Sequence, residues 1–259
     1  MKLNLKNFKY FDTHCHLNVE PLLNNIDSLI FECMTKQVFI NCVGVDCESS
    51  SISVNEAKKY KNCAMASVGI HPEYPDEILK INQLEKLISD NKDVVKAVGE
   101  CGLDYHIENY DKEKQTKLFI AQIELAIKYK LTLIIHCRDA YDDLYKILEK
   151  YHKKLSKILI HCYDSTSEWV AKFNKFNCYY AIGGKITYAK SDYLRDALKV
   201  IPLNRLVCET DCPFLSPIPI RNETNKPTNV ILIEKYISNF LKKNIGNQVY
   251  DNSIRLFDL

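Results

Sequence analysis

No apolar stretch in this 259-residue chain approaches the roughly 20 residues that a membrane-spanning helix needs. That argues against a helical membrane protein. The first ten residues alternate Lys and Asn with single apolar residues and lack the apolar segment of a secretory signal. A cytoplasmic protein is therefore expected, or a nuclear one if the source is eukaryotic. There is no Cys-x-x-Cys pair, so neither a zinc ribbon nor a thioredoxin-like motif is present. The net charge of only +2 gives no global attraction for a polyanion, so any nucleic-acid surface must be a local patch. Linkers rich in Gly, Ser or Pro, low-complexity tracts and charge blocks are also missing, which leaves one domain over 1–259 as the expectation. No GxGxxG follows the first apolar run, which argues against a dinucleotide site.

What the chain has is 46% hydrophobic residues, 26% charged residues and 11 cysteines. The cysteine number is odd and the spacing scattered. Cys42, Cys137, Cys162 and Cys208 fall inside apolar runs, so buried free thiols are expected rather than a disulfide framework. Eight apolar runs rich in Val and Ile predict strands over 9–12, 38–43, 63–69, 94–99, 131–137, 157–162, 178–183 and 205–209. Helical periodicity is clear over 115–129 and recurs over 21–36, 78–91, 140–151 and 230–243. Alternating strands and helices fit either a doubly wound sheet or a barrel. Eight units in this length favour a single (β/α)8 TIM barrel, with its site at the C-terminal face of the strands. The stretch 213–229 carries four prolines and no regular pattern, and loops of that length tend to be functional.

Residues of metal-ligand type stand at the ends of these runs. His14 and His16 follow the first; i and i+2 on a strand face one side, so two imidazoles can clamp one cation. A chance histidine pair on a loop is the plainer reading of those two alone. Asp12 and Thr13 beside them are expected to orient the rings. Glu100 follows the fourth run between Gly99 and Gly102, where a solvated turn residue is the alternative. His136 and His161 close the fifth and sixth in matching contexts, and Asp211 closes the eighth. Four imidazoles and two carboxylates exceed the needs of one catalytic zinc. Two divalent ions per chain sharing Glu100 fit the count, with Zn, Mn, Fe or Co favoured over Mg by the imidazoles. A pair of such ions activates water for hydrolysis.

Candidate substrate contacts are less specific. Arg138 directly follows a ligand position and could clamp phosphate, or pair with Asp139. Lys185, Lys190, Arg221 and Lys226 fall on the loops after the seventh and eighth runs and could hold a nucleic-acid backbone, or be ordinary solvated side chains. Tyr105 and Phe214 could stack on a base, although aromatics more often pack in a core.

At this point the chain resembles the TatD family of metal-dependent deoxyribonucleases, within the amidohydrolase-like barrels. The resemblance rests on FDTHCHL (11–17), VGIHPEY (68–74), VGECGLDY (98–105), IIHCRDA (134–140), ILIHCYD (158–164), AIGGKIT (181–187) and ETDCPFLSP (209–217), which run in order through the chain. It implies a divalent-metal-dependent deoxyribonuclease that hydrolyses DNA phosphodiester bonds, a 3′–5′ exonuclease or more broadly a phosphodiesterase acting on DNA; attack of a metal-bound hydroxide is the mechanism expected of such a metal pair. By the same resemblance His14, His16 and Asp211 bind one metal, Glu100 bridges, and His136 with His161 hold the second. His71 would contact substrate phosphate, and Asp211 with Glu100 would be catalytic. The partner is then DNA, engaged at an end and single-stranded, with no membrane and no obligate protein partner. Two departures bear on substrate preference: Tyr163-Asp164-Ser165 after the sixth-strand histidine, and Thr224-Asn225-Lys226-Pro227 with Arg221 displaced upstream. A second reading is an amidohydrolase or ester hydrolase, such as an aminoacyl-tRNA deacylase, because fold and metals do not fix the bond cleaved. Glu100 stands where many such relatives carry a carbamylated lysine, which favours the nuclease branch.

Overall fold

Strands buried on both faces can only be parallel neighbours covered by helices, and the computed structural model has that form. It describes residues 5–259. Residues 1–4, part of the segment read for a secretory signal, lie outside the described residues. Eight parallel strands form one sheet in sequence order: β1 Tyr10–Cys15, β2 Val38–Val43, β3 Ala64–Val68, β4 Val95–Asp104, β5 Thr132–Arg138, β6 Lys157–Ile160, β7 Tyr179–Ile182 and β8 Leu206–Cys208. The sheet closes on itself just beyond β8. Cys15 and Cys212 form a parallel bridge, Asp211 N–H donates to His14 O at 2.9 Å, and His16 N–H donates to Cys212 O at 2.8 Å.

The helices are α1 Ile26–Thr35, α2 Cys47–Lys59, α3 Ile81–Asp90, α4 Lys112–Tyr129, α5 Tyr141–Tyr151, α6 Ser167–Phe173, α7 Asp192–Val200, α8 Val230–Phe240 and α9 Gly246–Phe257. The periodicity pattern missed α2, α6, α7 and α9. In α2 the face against the barrel is largely Ser: Ser49, Ser50 and Ser53 are buried beside Val54 and Ala57. Ser50 Oγ donates to Gly69 O at 3.2 Å, and Gly69 N–H donates back to Ser50 Oγ at 3.1 Å. A helix seated this closely hides its polar face, so a hydrophobic pattern does not report it. Asp46 caps it, accepting from Ser49 N–H at 2.7 Å in a capping box.

Phe11, Phe39, Met65, Ala97, Ile134, Leu159, Tyr179, Ala181 and Val207 fill the barrel interior, and Leu256 and Phe257 of α9 join them. Thr132 Oγ1 donates to Leu256 O at 2.5 Å, fastening α9 to the start of β5. The N-terminal end is thereby plugged, and the C-terminal ends of the strands are where a cavity can open.

β4 is longer than its apolar run. It continues through Glu100 to Asp104, so Glu100 lies within a strand and not in a turn after one. The cause is the pair of glycines. Gly99 and Gly102 have φ of +147° and +151°, which a side chain rarely adopts. A Cβ would lie 2.6 Å from Ile134 O at Gly99, and 2.0 Å from His136 O at Gly102. β4 therefore presses on β5, its register shifting between Val98 and Cys101. Gly102→Ala is expected to destabilise the fold by about 3 kcal/mol or more, since neither backbone can yield cheaply. That corresponds to a fall in melting temperature of about 6–12 °C for a chain of this size. A melting temperature equal to wild type would show that the two strands are not in forced contact there.

All 11 cysteines are free. Cys42 and Cys208 are buried as expected, but Cys137 and Cys162 are only partly covered and line the cavity described next.

Candidate metal centre

The strand periodicity predicts that His14 and His16 face the same way, and the geometry is tighter than that. Their Nε2 atoms are 3.2 Å apart although β1 shifts register between Asp12 and Cys15. His16 Nδ1–H donates to Val43 O at 3.0 Å. In the neutral ring Nε2 therefore carries a lone pair. That lone pair faces His14 Nε2, Asp211 Oδ1 at 3.4 Å and Glu100 Oε2 at 3.5 Å.

The two oxygens of Glu100 divide the histidines. Oε2 lies 3.2 Å from His14 Nε2. Oε1 lies 2.7 Å from His136 Nδ1, 2.9 Å from His161 Nε2 and 3.8 Å from His71 Nε2. Of the four donor sets among the described residues that are close enough to hold an ion, three lie at this mouth: His14, His16 and Asp211; His14, Glu100 and His161; His71, Glu100 and His136; the fourth, Asp12, Cys15 and Cys212, lies at the β1–β8 closure. So many acceptors in mutual contact, buried or largely buried, are repulsive unless positive charge sits among them. His14 Nδ1 and His161 Nδ1 are buried without a hydrogen-bond partner. The donor set, imidazole with carboxylate, suits a borderline divalent ion.

Electrostatics agree with that fit. Burial pushes the His161 imidazole down, yet Glu100 and Glu209 outweigh it and hold its pKa well above the usual range. His16 and His136 are raised against burial in the same way, by Asp211 with Glu100 and by Asp104 with Glu100. Burial pushes the Glu100 carboxyl up, but His161 and the hydrogen bonds from His136, His14 and His161 bring it well below the usual carboxylate range. Burial, then the neighbouring His161, lowers the His14 imidazole instead, so the carboxylates favour the protonated form at some of the rings and not at all of them.

Two carboxylates that the sequence reading passed over complete the centre. Asp104 Oδ2 lies 2.9 Å from His136 Nε2 and can take the proton there, leaving Nδ1 to face Glu100. Glu209, fully buried, faces His161 Nδ1 at 3.4 Å and accepts from Cys162 N–H at 2.6 Å. The i, i+2 spacing of Glu209 and Asp211 was the available signal. Asp12 and Thr13 do something other than orient rings. Asp12 accepts from Thr210 N–H at 2.8 Å and Thr210 Oγ1 at 2.5 Å, and Thr13 Oγ1 donates to Cys208 O at 3.0 Å. They tie β1 to the β8 segment and so place Asp211 beside His16.

His71 is held differently. Glu73 N–H donates to its Nδ1 at 3.1 Å, so in the neutral ring Nε2 bears the hydrogen. Burial, then the neighbouring His136, lower its pKa to about 3, which keeps the ring neutral. It is a hydrogen-bond donor aimed at the centre rather than a ligand in that tautomer.

The ligand cluster floors a cavity of about 700 Å³. Arg138, Lys185 and Phe214 line it. Arg138 makes no ion pair among the described residues; Asp139 pairs instead with His106 at 3.0 Å. Lys185 is paired with Asp164, whose other oxygen accepts from Tyr193 Oη. Four candidates lie elsewhere. Lys226 reaches Glu32 at 2.9 Å, Arg221 lies over the Tyr188 ring at 4.2 Å, and Lys190 is exposed outside the cavity lining. Tyr105 stacks on Tyr110 at 4.5 Å and donates its hydroxyl to Asp143 at 3.1 Å. Lys226, Arg221 and Tyr105 take partners outside the cavity, and Lys190 faces solvent.

Comparison with known proteins agrees with the architecture. The family described as TatD related DNase matches residues 11–258. An uncharacterized metal-dependent hydrolase, MG009, of Mycoplasma genitalium is 34% identical over 96% of this chain and 99% of its own. Another, YabD of Bacillus subtilis, is 32% identical over 95% of this chain and 98% of its own. The crystal structure of YJJV, a TatD homologue from Escherichia coli, superposes with a TM-score of 0.90 at 24% identity, covering 97% of this chain and 98% of that one.

Proposed function

The chain belongs to the TatD-related DNase family, and from that membership and the geometry of its mouth we propose that it is a deoxyribonuclease working from the 3′ end of DNA. It is a metal-dependent hydrolase of the TatD family. The observation that carries the finer reading is the cluster of imidazoles around Glu100, set in a cavity that also holds an uncommitted guanidinium and a neutral His71 N–H. Those are donors for the oxygens of a phosphodiester.

In this reading His14, His16 and Asp211 would hold one divalent ion and His136 and His161 another, with Glu100 serving both. The chemistry they would supply there is a lowered pKa for a bound water and neutralisation of phosphoryl charge. The remaining work falls to side chains. Asp211 Oδ1 faces His16, which leaves Oδ2 to accept the proton of the attacking water. His71 Nε2–H and Arg138 orient the non-bridging oxygens. Asp104 keeps the ring of His136 in place, and Glu209 sets its charge beside the ring of His161. The proposed enzyme is cytoplasmic; no helix among the described residues is long and apolar enough to cross a membrane.

The test is turnover, with Mn²⁺ or Zn²⁺, on a linear single strand, a covalently closed circle, an aminoacyl-tRNA and a panel of lactones. Expected is stepwise shortening of the linear strand from its 3′ end with the circle intact. Nicking of the circle would mean endonuclease action. Cleavage of the tRNA ester or a lactone, with no nucleic acid cut, would overturn the nuclease reading. Two cations line the cavity, so binding should depend weakly on salt, with a slope on the order of −1.4 for a single strand. A slope several times steeper would place the DNA on a wider basic surface.

A further inference from the structure

Two exposed aromatic side chains flank the ligand cluster from different sides, each delivered by the same local device. Tyr74 N–H donates to His71 O at 3.0 Å, and Phe214 N–H donates to Asp211 O at 3.0 Å. Each ring is thus the fourth residue of a hydrogen-bonded turn that begins on a residue of the centre. Tyr74 is 38% exposed and Phe214 57% exposed, yet both line the cavity. The His71 end of the cluster lies against His136, with ring centroids 4.4 Å apart. At the other end, Phe214 lies 6.4 Å from the His16 ring, edge-on. The Phe214 turn is pinned from below: the buried Asn225 donates through Nδ2 to Phe214 O at 2.7 Å and to Thr210 O at 2.9 Å. A ring kept in water beside a polar centre, on a turn built to hold it there, has a face left for a planar ligand.

We propose that Tyr74 and Phe214 form a two-sided stacking site for the nucleobases on either side of the scissile phosphate. This deepens the phosphodiesterase reading above and rests on it. A base within a duplex has both faces covered by its neighbours, whereas an unpaired terminal base offers a face to a protein ring. Every base has a π-face, so the site tolerates any sequence. Arg138, in the same cavity and without an ion pair among the described residues, supplies positive charge for the backbone between the two bases. Tyr105 has no such part, because its ring is already stacked on Tyr110.

The experiment uses the full-length, metal-loaded protein and two single strands: one intact, one with abasic nucleotides at the two positions flanking the terminal phosphodiester. Wild type should cleave the abasic strand with kcat/KM lower by about 5- to 150-fold per missing base. Tyr74→Ala and Phe214→Ala should each show a loss of that size on the intact strand, mainly in KM, and little further loss on the abasic one. Tyr74→Phe and Phe214→Trp should keep wild-type rates, which separates stacking from a folding defect. Equal cleavage of both strands by wild type, or alanine variants as fast as wild type on the intact strand, would overturn the stacking site. Binding of a strand carrying 2-aminopurine near its 3′ end keeps the two ideas apart. Fluorescence quenching without cleavage would leave the stacking site standing and remove the phosphodiesterase reading. Absence of quenching would remove the stacking site whether or not the strand is cut.

Discussion

Glu100→Ala should lower kcat/KM by about three orders of magnitude or more and take the bound divalent ions from the proposed two per chain to one or fewer. Both carboxylate oxygens face imidazoles, Oε2 toward His14 and His16, Oε1 toward His136, His161 and His71. Among the described residues no other carboxylate is placed to reach all of them. Each tenfold in rate is about 1.4 kcal/mol, and a shared ligand whose loss removes several kcal/mol of charge stabilisation accounts for that size. The barrel should persist with an unchanged far-UV circular dichroism spectrum, because its packing core lies below the mouth. Glu100→Gln makes the comparison sharper. It keeps the shape and one oxygen but removes the charge, and it should be nearly as inactive as the alanine variant. Near-normal turnover in either variant with two ions still bound would end the bridging role.

Asp211→Asn should lower kcat by about 10²- to 10⁴-fold, the usual worth of a positioned general base, while ion occupancy changes much less. Asparagine retains Oδ1, the oxygen that faces His16. It replaces Oδ2 by an amide, a donor where the nucleophile needs an acceptor. The backbone at this position has φ of 57°, a left-handed conformation that asparagine adopts readily. Asp211 N–H can then still bond His14 O, and the closure between β1 and β8 is kept. Parallel measurement of kcat and of ions per chain decides the matter. If kcat falls only in step with ion loss, Asp211 is a ligand and nothing more.

How much of this was legible beforehand differs by element. The strands were, because a parallel strand covered on both faces must be apolar throughout, and Val38–Val43 is read from its composition alone. Helix α4 was, because a helix with one wet face must repeat with a period near 3.6. Helix α2 was not, because its close seat on the barrel selects serine and leaves no apolar stripe. The length of β4 was hidden by glycine, which looks like the end of a strand when it is what lets the strand pass its neighbour.

The same division runs through the centre. The chain alone determined a barrel of parallel strands and the identity of six side chains that would meet at its mouth, because a strand's end is a fixed place in a barrel. Only the tertiary structure decided which neighbours those side chains have. It gave Asp104 and Glu209 to the rings of His136 and His161, and turned Asp12 and Thr13 to closing the barrel. It fixed the hydrogen of His71 on Nε2 and took Lys226 away to Glu32, 194 residues distant in sequence. The physical reason is range. Periodicity reports what lies within a turn or two of one element, whereas a proton's position or a lysine's partner depends on atoms a few ångströms away that belong to another segment.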